Sequence, residues 1–244
     1  MPEGPSIVIL KEAVQAFEGK KVTAISGNAK LDLEPLAGKK IIAFKTWGKH
    51  FLICFPDCTI RIHLLMFGSY RINEQKEGAI PRLHLQFAKG EINFYTCSVQ
   101  LITEPLDKVY DFTGDVMNAD WSEKKARAKL KANPDMLVCD ALLDQNIFAG
   151  VGNIIKNEVL FRIRVDPRSR VGALPAKQLK ALLTEAVHYS YQFLEWKKEF
   201  TLKQHWLAHT KRVCPRDEIP FIKEHLGKTN RRTFYCVMCQ VLYT

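Results

Sequence analysis

The spacing of apolar residues changes once along the chain, and this change is the strongest constraint on the fold. From Val22 to about Leu101, apolar and polar residues alternate with a period of two, which is typical of half-buried strands. The clearest runs are 40–44, 51–55, 60–64, 70–73, 83–87 and 91–96. Six or more short strands broken by Gly or Pro predict an antiparallel β-sandwich or barrel.

Helical spacing takes over on both sides of this region. Apolar residues at helical intervals predict a first helix over residues 6–17. The composition turns polar after Thr103 and through Gly114, and residues 104–114 are interpreted as an interdomain linker. Beyond them we expect helices over 121–133 and 136–143, another from Asn153, and a long amphipathic one after Pro175.

Charge and cysteine content restrict the function and the compartment. The formal net charge of +10 indicates a polyanionic partner such as nucleic acid. Residues 201–244 hold eight Lys or Arg against three Asp or Glu, which favours a binding surface there. An apolar run ends at Lys11 before a signal peptide can form, and no stretch reaches membrane-spanning length. The seven cysteines are expected to be reduced, so we expect a cytoplasmic protein without membrane contact.

The first five residues, Met-Pro-Glu-Gly-Pro, allow covalent chemistry. Removal of Met1 would make Pro2 a secondary amine at the terminus, with a pKa of about 8, so that part of it is nucleophilic near neutral pH. Such an amine can form an imine with a carbonyl-like carbon, with Glu3 as proton donor or acceptor. Alternatively, the prolines only start a helix.

Residues 140–153 form a second candidate site, in which an apolar helix end meets Gly150, Gly152 and a new helix at Asn153. Glycines permit close backbone approach, and a helix start attracts an anion such as phosphate. Alternatively, Asn153 only caps its helix.

The tail carries a candidate metal site. Cys214 and Asp217, followed by Cys236 and Cys239, give paired ligands two residues apart, which is a zinc signal. Only three of the four are cysteines, so His225 and a metal-free ribbon remain alternatives. Two arginines, Arg231 and Arg232, lie between the pairs and suit a phosphate clamp or a solvated basic turn. Lys49, at a turn between strands, carries no weight alone.

Together these residues resemble the formamidopyrimidine-DNA glycosylase and endonuclease VIII family. The resemblance covers nearly the whole chain: the N-terminal Pro-Glu-Gly-Pro, the Gly-Lys turn, His-Leu-x-Met-x-Gly at 63–68, Asp-Gln-Asn to Gly-Val-Gly-Asn, and Arg-Arg-Thr-Phe-Tyr-Cys. It implies an α+β multidomain protein. The expected parts are an N-terminal catalytic antiparallel β-sandwich domain with flanking helices (1–108), a helical domain with a helix-two-turn-helix motif (121–204) and a zinc-ribbon element (205–244).

The resemblance also implies roles for single residues. Pro2 would be the Schiff-base nucleophile at the sugar C1′ and Glu3 the acid that assists sugar opening and base loss, with Lys49 completing the catalytic set. Lys49, Asn153 and Arg231 would hold phosphates around a flipped nucleotide, and Met66 would fill the gap left in the stack. A structural zinc ion and damaged double-stranded DNA are the implied cofactor and partner, with no organic cofactor, for a monomeric protein.

Four departures from the family pattern affect the expected activity. Ser6 stands where a glutamate is usual, Val99-Gln100-Leu101 replaces Arg and Phe probes of the opposite strand, the segment before Cys214 is short, and Asp217 is the fourth ligand. We therefore expect a bifunctional glycosylase and abasic-site lyase that prefers oxidised pyrimidines and cuts by β/δ-elimination. The alternatives are a formamidopyrimidine or 8-oxoguanine glycosylase, and a DNA-damage binding protein without catalysis.

Overall fold

In the computed structural model, which describes residues 2–244, the chain divides into two units, one ending at Tyr110 and one beginning at Asp111. The division falls inside the polar segment interpreted as a linker, which also contains a short helix, α2 (Leu106–Val109). The domain boundaries given above remain predictions.

Among its described residues, the first unit contains eight strands, which form two antiparallel four-stranded sheets. One sheet has the order β2-β3-β4-β8 and the other β1-β6-β7-β5. The strands are β1 Val22–Ser26, β2 Ala43–Trp47, β3 His50–Cys54, β4 Thr59–His63, β5 Ser69–Ile72, β6 Leu83–Phe87, β7 Glu91–Tyr95 and β8 Ser98–Ile102.

Alternation along the strands creates the core of this unit. Ile60 and Ile62 of β4 are fully buried while Arg61 between them is not, and Leu83 and Leu85 of β6 follow the same rule. Buried side chains from both sheets form one apolar cluster, which also includes residues of helix α1 (Gly4–Ala13). The antiparallel sheets predicted from the period of two are therefore confirmed.

The second unit is helical before it ends in a hairpin. Its helices are α3 Glu123–Lys131, α4 Val138–Leu143, α5 Asn153–Arg162 and α6 Ala176–Lys198. The apolar stripe predicted for α6 is buried in the core of this unit, together with most of α5. The hairpin pairs β9 (Ile222–Leu226) with β10 (Arg231–Tyr235).

Two elements have boundaries that differ from the sequence prediction by three residues or more. The first helix ends at Ala13 and continues only as a 3-10 turn, Gln15–Phe17. Strand β2 begins three residues later than predicted, because Lys40 forms a bridge with Lys21 and the Ile41 N–H donates to the carbonyl of Lys20. This segment is therefore held by the chain that precedes β1. Within residues 2–244, no helix combines the length and apolarity needed to cross a bilayer.

Candidate functional site

The N-terminal residues lead directly into helix α1. Pro2 is partly exposed, and Glu3 occupies the N-cap position with its side chain fully buried. The carbonyl of Glu3 accepts the Ser6 N–H at 2.8 Å, and Pro5 in the first turn supplies the backbone angle that a helix start requires. If Met1 is removed, the imino nitrogen of Pro2 would stand next to a buried carboxyl group, an arrangement that suits acid-base chemistry at residue 2.

Lys49 lies in the two-residue turn between β2 and β3, and α1 packs against both of these strands. The turn requires a positive φ of 54° at Gly48, a backbone conformation that glycine adopts without a steric penalty. His50, which follows the turn, pairs with His63 at the end of β4. The Lys49 turn and the loop after His63 therefore lie at the same end of this sheet.

The loop from Leu64 to Gly68 presents an apolar tip to solvent. Leu65, Met66 and Phe67 are 48%, 52% and 79% exposed. The Gly68 N–H donates to the Leu64 carbonyl at 2.7 Å, and a Cβ on Gly68 would lie 2.1 Å from that oxygen. Glycine is therefore required for the loop to close. The loop places Phe67 and Leu65 beside the predicted Met66, and the sequence interpretation did not select these two residues.

His63 is a further polar group at this end of the sheet. Its Nδ1 accepts the Leu65 N–H at 3.2 Å, so the neutral ring carries its proton on Nε2. Burial, the charge of Lys49 and the charge of Arg61 all lower the pKa of His63. The ring is therefore a neutral donor at pH 7. Its motif was visible in the sequence, but the hydrogen bond that fixes its tautomer was not.

The neighbouring His50 is held in a hydrogen-bonded chain. Arg61 Nη1 donates to the Tyr110 hydroxyl at 3.4 Å, and this hydroxyl lies 3.2 Å from His50 Nδ1. Burial first, and then the positive charge of Arg61, lower the pKa of His50 to about 4. His50 is consequently neutral near pH 7 and supports the strand that follows the Lys49 turn.

In the second unit, Asn153 is the first residue of α5 and not its cap. Gly152 occupies the N-cap position, so the alternative that Asn153 only caps the helix is wrong. The Asn153 side chain is largely buried, and its Nδ2 donates to the Arg232 carbonyl at 3.0 Å. Asn153 and the strand that begins with Arg231 are thereby held together, whereas the Asn153 Oδ1 has no hydrogen-bond partner among the described residues.

Two further side chains of α5 fix the same strand. Asn157 Oδ1 accepts the Phe234 N–H at 3.2 Å, and Lys156 Nζ donates to Thr233 Oγ1 at 2.7 Å. Both α5 residues are almost fully buried. Strand β10 is therefore attached to the start of α5 at three successive residues, Arg232, Thr233 and Phe234.

The turn before α5 is held by Gln145. Its amide Nε2 donates to the carbonyls of Leu143 and Val151 at 2.8 and 3.1 Å, and its Oε1 accepts the Gly150 N–H at 3.1 Å. The Gln of the Asp-Gln-Asn motif thus has a structural function: it shapes the turn that delivers Asn153.

The four predicted metal ligands come together at the base of the hairpin. One ligand atom from each of Cys214, Asp217, Cys236 and Cys239 lies within 4.8 Å of all the others. His225 is in β9, where its Nδ1 contacts the Asn230 carbonyl at 2.9 Å, and it is not part of this group.

The spacing of these atoms fits a tetrahedral zinc ion. Zn–S and Zn–O bonds of about 2.3 and 2.0 Å give edges of about 3.8 Å between two sulfurs and about 3.5 Å between sulfur and oxygen. Cys214 Sγ and Cys239 Sγ are 3.8 Å apart, and Asp217 Oδ2 lies 3.4 and 3.2 Å from the sulfurs of Cys214 and Cys236. The residues present therefore fit the group that the sequence motif implies.

Burial raises the pKa of the Cys236 and Cys239 thiols, that of Cys239 to about 12. Since zinc binds thiolates, its binding at this site would release protons. The Arg216 backbone N–H donates to Cys214 Sγ at 3.4 Å, and the Arg216 guanidinium donates to Cys239 Sγ at 3.7 Å.

Comparisons with known proteins show which family the chain resembles in sequence and in fold. Residues 1–98 match the formamidopyrimidine-DNA glycosylase N-terminal domain, and residues 108–202 match the formamidopyrimidine-DNA glycosylase H2TH domain. Endonuclease 8-like 3 from Xenopus laevis is 33% identical over 221 residues, which are 86% of this chain and 36% of that protein. The chain spans about a third to a half of the length of the endonuclease 8-like 3 proteins that it matches.

A relative of similar length is the DNA-(apurinic or apyrimidinic site) lyase Nei2 from Mycolicibacterium smegmatis. It is 31% identical over 185 residues, and the match covers 71% of each protein. Two solved structures share the fold: a viral DNA glycosylase (TM-score 0.85, 19% identity, 98% of this chain and 100% of that one) and the Lactococcus lactis formamidopyrimidine-DNA glycosylase bound to DNA with an abasic site (TM-score 0.84, 21% identity, 98% and 99%). The chain therefore belongs to the formamidopyrimidine-DNA glycosylase and endonuclease VIII family.

Proposed function

We propose that this protein is a bifunctional DNA glycosylase of base excision repair, which removes an oxidised base and then cuts the strand as an abasic-site lyase. The observation that carries the proposal is the placement of Pro2, partly exposed, next to the buried Glu3 in a chain of this family. The mature enzyme would lack Met1, so that the imino nitrogen of Pro2 is free to react.

In the proposed reaction, the Pro2 nitrogen attacks C1′ of the damaged nucleotide and the base leaves with a proton supplied by Glu3 or by water. The C1′–O4′ bond then breaks as O4′ takes a proton, which opens the sugar and leaves an iminium between Pro2 and C1′. The iminium makes the C2′ proton acidic, and loss of that proton breaks the C3′–O bond in a β-elimination that cuts the strand. A δ-elimination then breaks the C5′–O bond and releases the second phosphate end. A secondary amine with a pKa of about 8 is suited to the first step, because a fraction is unprotonated at neutral pH.

The remaining site residues would bind DNA phosphates or fill the space that the extruded nucleotide leaves. Extruding a nucleotide costs about a few kcal/mol. Met66, with Leu65 and Phe67 on the same exposed loop, offers apolar surface that can occupy the vacated space. Lys49, Asn153 and Arg231 would bind phosphates, and the neutral His63 can add a donor from Nε2.

We further propose a preference for oxidised pyrimidines. Val99, Gln100 and Leu101 belong to strand β8 and pair with β4, and Val99 is buried, so they form no loop that could probe an opposite strand. Part of the short segment between α6 and Cys214 is also held against α5. The buried carboxylate of Glu158 accepts three of its backbone N–H groups, from Leu207, Ala208 and His209, at 2.7 to 2.9 Å. Little chain remains to cover an oxidised guanine.

We also propose that Cys214, Asp217, Cys236 and Cys239 hold a zinc ion. Zinc would make the hairpin base rigid and would take no part in bond breaking. The proposed partner is damaged double-stranded DNA, bound by a monomer in the cytoplasm, or at the nucleoid if the source is bacterial.

The test is single-turnover excision on duplexes with thymine glycol, dihydrouracil or 8-oxoguanine, together with strand scission at a pre-formed abasic site. We expect scission by the wild type, faster excision of the pyrimidine lesions, and loss of scission in Pro2→Gly. Faster excision of 8-oxoguanine opposite cytosine would contradict the substrate preference. Tight lesion binding without any scission would identify the protein as a damage-binding protein without catalysis. Ser6, which stands where the family usually has a glutamate, is the reason to consider this alternative.

A further inference from the structure

A buried carboxylate in the second unit holds the turn of the hairpin. Asp140, in the first turn of α4, is largely buried. Its Oδ2 accepts the Lys228 N–H at 2.9 Å, while its Oδ1 accepts the Thr229 N–H and hydroxyl, both at 3.2 Å. These three donors lie in the turn that joins β9 to β10, almost ninety residues further along the chain.

The turn is shaped to receive this carboxylate. Gly227 has a φ of +70°, and a Cβ at that position would lie 2.3 Å from both carboxylate oxygens of Asp140. Any larger residue would push the turn away from α4. The chain therefore approaches Asp140 at a distance that only glycine allows.

The turn lies next to the predicted phosphate ligand. Arg231 is the first residue of β10 and follows Thr229 by two positions. Asn157 and Lys156 hold the later residues of the strand, Phe234 and Thr233, whereas Asp140 holds its leading end. Hydrogen bonds to an ionised group are stronger than neutral ones, and a side chain on a doubly anchored strand loses less freedom when it binds.

We propose that Asp140 is a positioning residue for Arg231: it fixes the hairpin turn on α4 so that the guanidinium is held ready for a DNA phosphate. The inference rests on the phosphate-binding role of Arg231 in the proposed function. A polar turn of Gly-Lys-Thr-Asn can close a hairpin without such an anchor. The carboxylate is therefore needed to fix the position of the turn on α4, and not to form the turn.

The experiment measures the affinity for a duplex with a tetrahydrofuran abasic analogue, which needs no catalysis. In Asp140→Asn the amide presents N–H groups to donors of the turn, which breaks part of the contact. We expect binding about tenfold to hundredfold weaker, and a slope of log K against log salt reduced by about 0.9, the value of one phosphate contact. Asp135→Asn is the matched control, because it removes the same charge from the same region. The Asp135 side chain is 92% exposed and pairs only with Arg170 among the described residues.

A double-mutant cycle separates positioning from general destabilisation. If Asp140 acts through Arg231, then Asp140→Asn should change binding little in an Arg231→Ala background. Gly227→Ala should weaken binding in the same way as Asp140→Asn. Zinc content by elemental analysis should stay at the wild-type value in all three variants, since the metal ligands lie at the other end of the hairpin.

Additive effects of Asp140→Asn and Arg231→Ala, or an unchanged salt slope in Asp140→Asn, would overturn the proposal. An Arg231→Ala variant that binds as tightly as the wild type would overturn it as well. Failure of the catalytic proposal would give a different result. The protein would not cut the strand, but the double-mutant cycle would still show that Asp140 and Arg231 act together in binding the analogue.

Discussion

In the exposed loop between β4 and β5, the substitution Phe67→Ala should weaken DNA binding without destabilising the fold. Phe67 is 79% exposed, so Phe67→Ala should alter the free energy of unfolding by no more than about 0.5 kcal/mol. Stacking of a base on an aromatic ring is worth about 1 to 3 kcal/mol. If Phe67 stacks on a base next to the extruded nucleotide, Phe67→Ala should weaken binding to damaged duplex by about 5- to 150-fold.

The assay compares a duplex that contains tetrahydrofuran with an undamaged duplex of the same sequence, by fluorescence anisotropy at fixed salt. Ile80→Ala is the matched control, because Ile80 is an apolar residue of the same unit with 74% exposure and lies in another loop. The control should leave both affinities unchanged. Phe67→Ala should weaken binding to the damaged duplex more than to the undamaged one.

Two results would refute this reasoning. Equal losses in Phe67→Ala and Ile80→Ala would mean that exposed apolar area in general, and not the loop after His63, contributes to binding. A melting temperature lowered several degrees by Phe67→Ala would mean that the side chain stabilises the fold and that its exposure misrepresents its contribution.

Three further predictions concern the metal, the pH dependence and the phosphates. Asp217→Ala should lower both zinc content and DNA affinity, whereas Glu218→Gln beside it should lower neither; full zinc in Asp217→Ala by elemental analysis would reject Asp217 as a ligand. Because the pKa of His50 is depressed in the folded state, His50 contributes stability above pH 6.5 that is lost as the pH falls towards 4, up to about 3 kcal/mol. The free energy of unfolding in urea should therefore differ less between pH 7 and pH 4.5 in His50→Gln than in the wild type, and an equal difference would contradict the assignment. Lys49→Ala should weaken binding to damaged and undamaged DNA alike and reduce the salt slope by about 0.9, and an unchanged slope would exclude a phosphate contact.

Much of the fold could be predicted from local patterns. The alternation at 60–64 and 83–87 predicted strands because burial of every second residue is a local property of a sheet that covers a core. The start of β2 was misplaced because Lys40 and Ile41 also alternate correctly, while their hydrogen bonds go to residues 20 and 21. Pairing partners of this kind cannot be derived from the spacing within one segment.

The candidate site was only partly accessible from sequence for the same reason. The cysteine pairs with Asp217 were found because their spacing is local, and the structure brings them together. Phe67 was missed because apolar residues next to a strand usually enter the core, and only the turn forced by Gly68 exposes it. The contact between Asp140 and the hairpin turn was missed because an acidic residue in a helical first turn is common, and its partners lie almost ninety residues away.

In the proposed reaction the imino nitrogen of Pro2 forms the covalent bond to DNA, and this bond can be trapped chemically. Borohydride reduction of the protein incubated with an abasic duplex, followed by proteolysis and mass spectrometry, locates the trapped sugar on the chain. We expect an adduct on the N-terminal peptide that begins at Pro2, and no adduct in Pro2→Gly. An adduct on any lysine, or strand scission by protein that retains Met1, would contradict it.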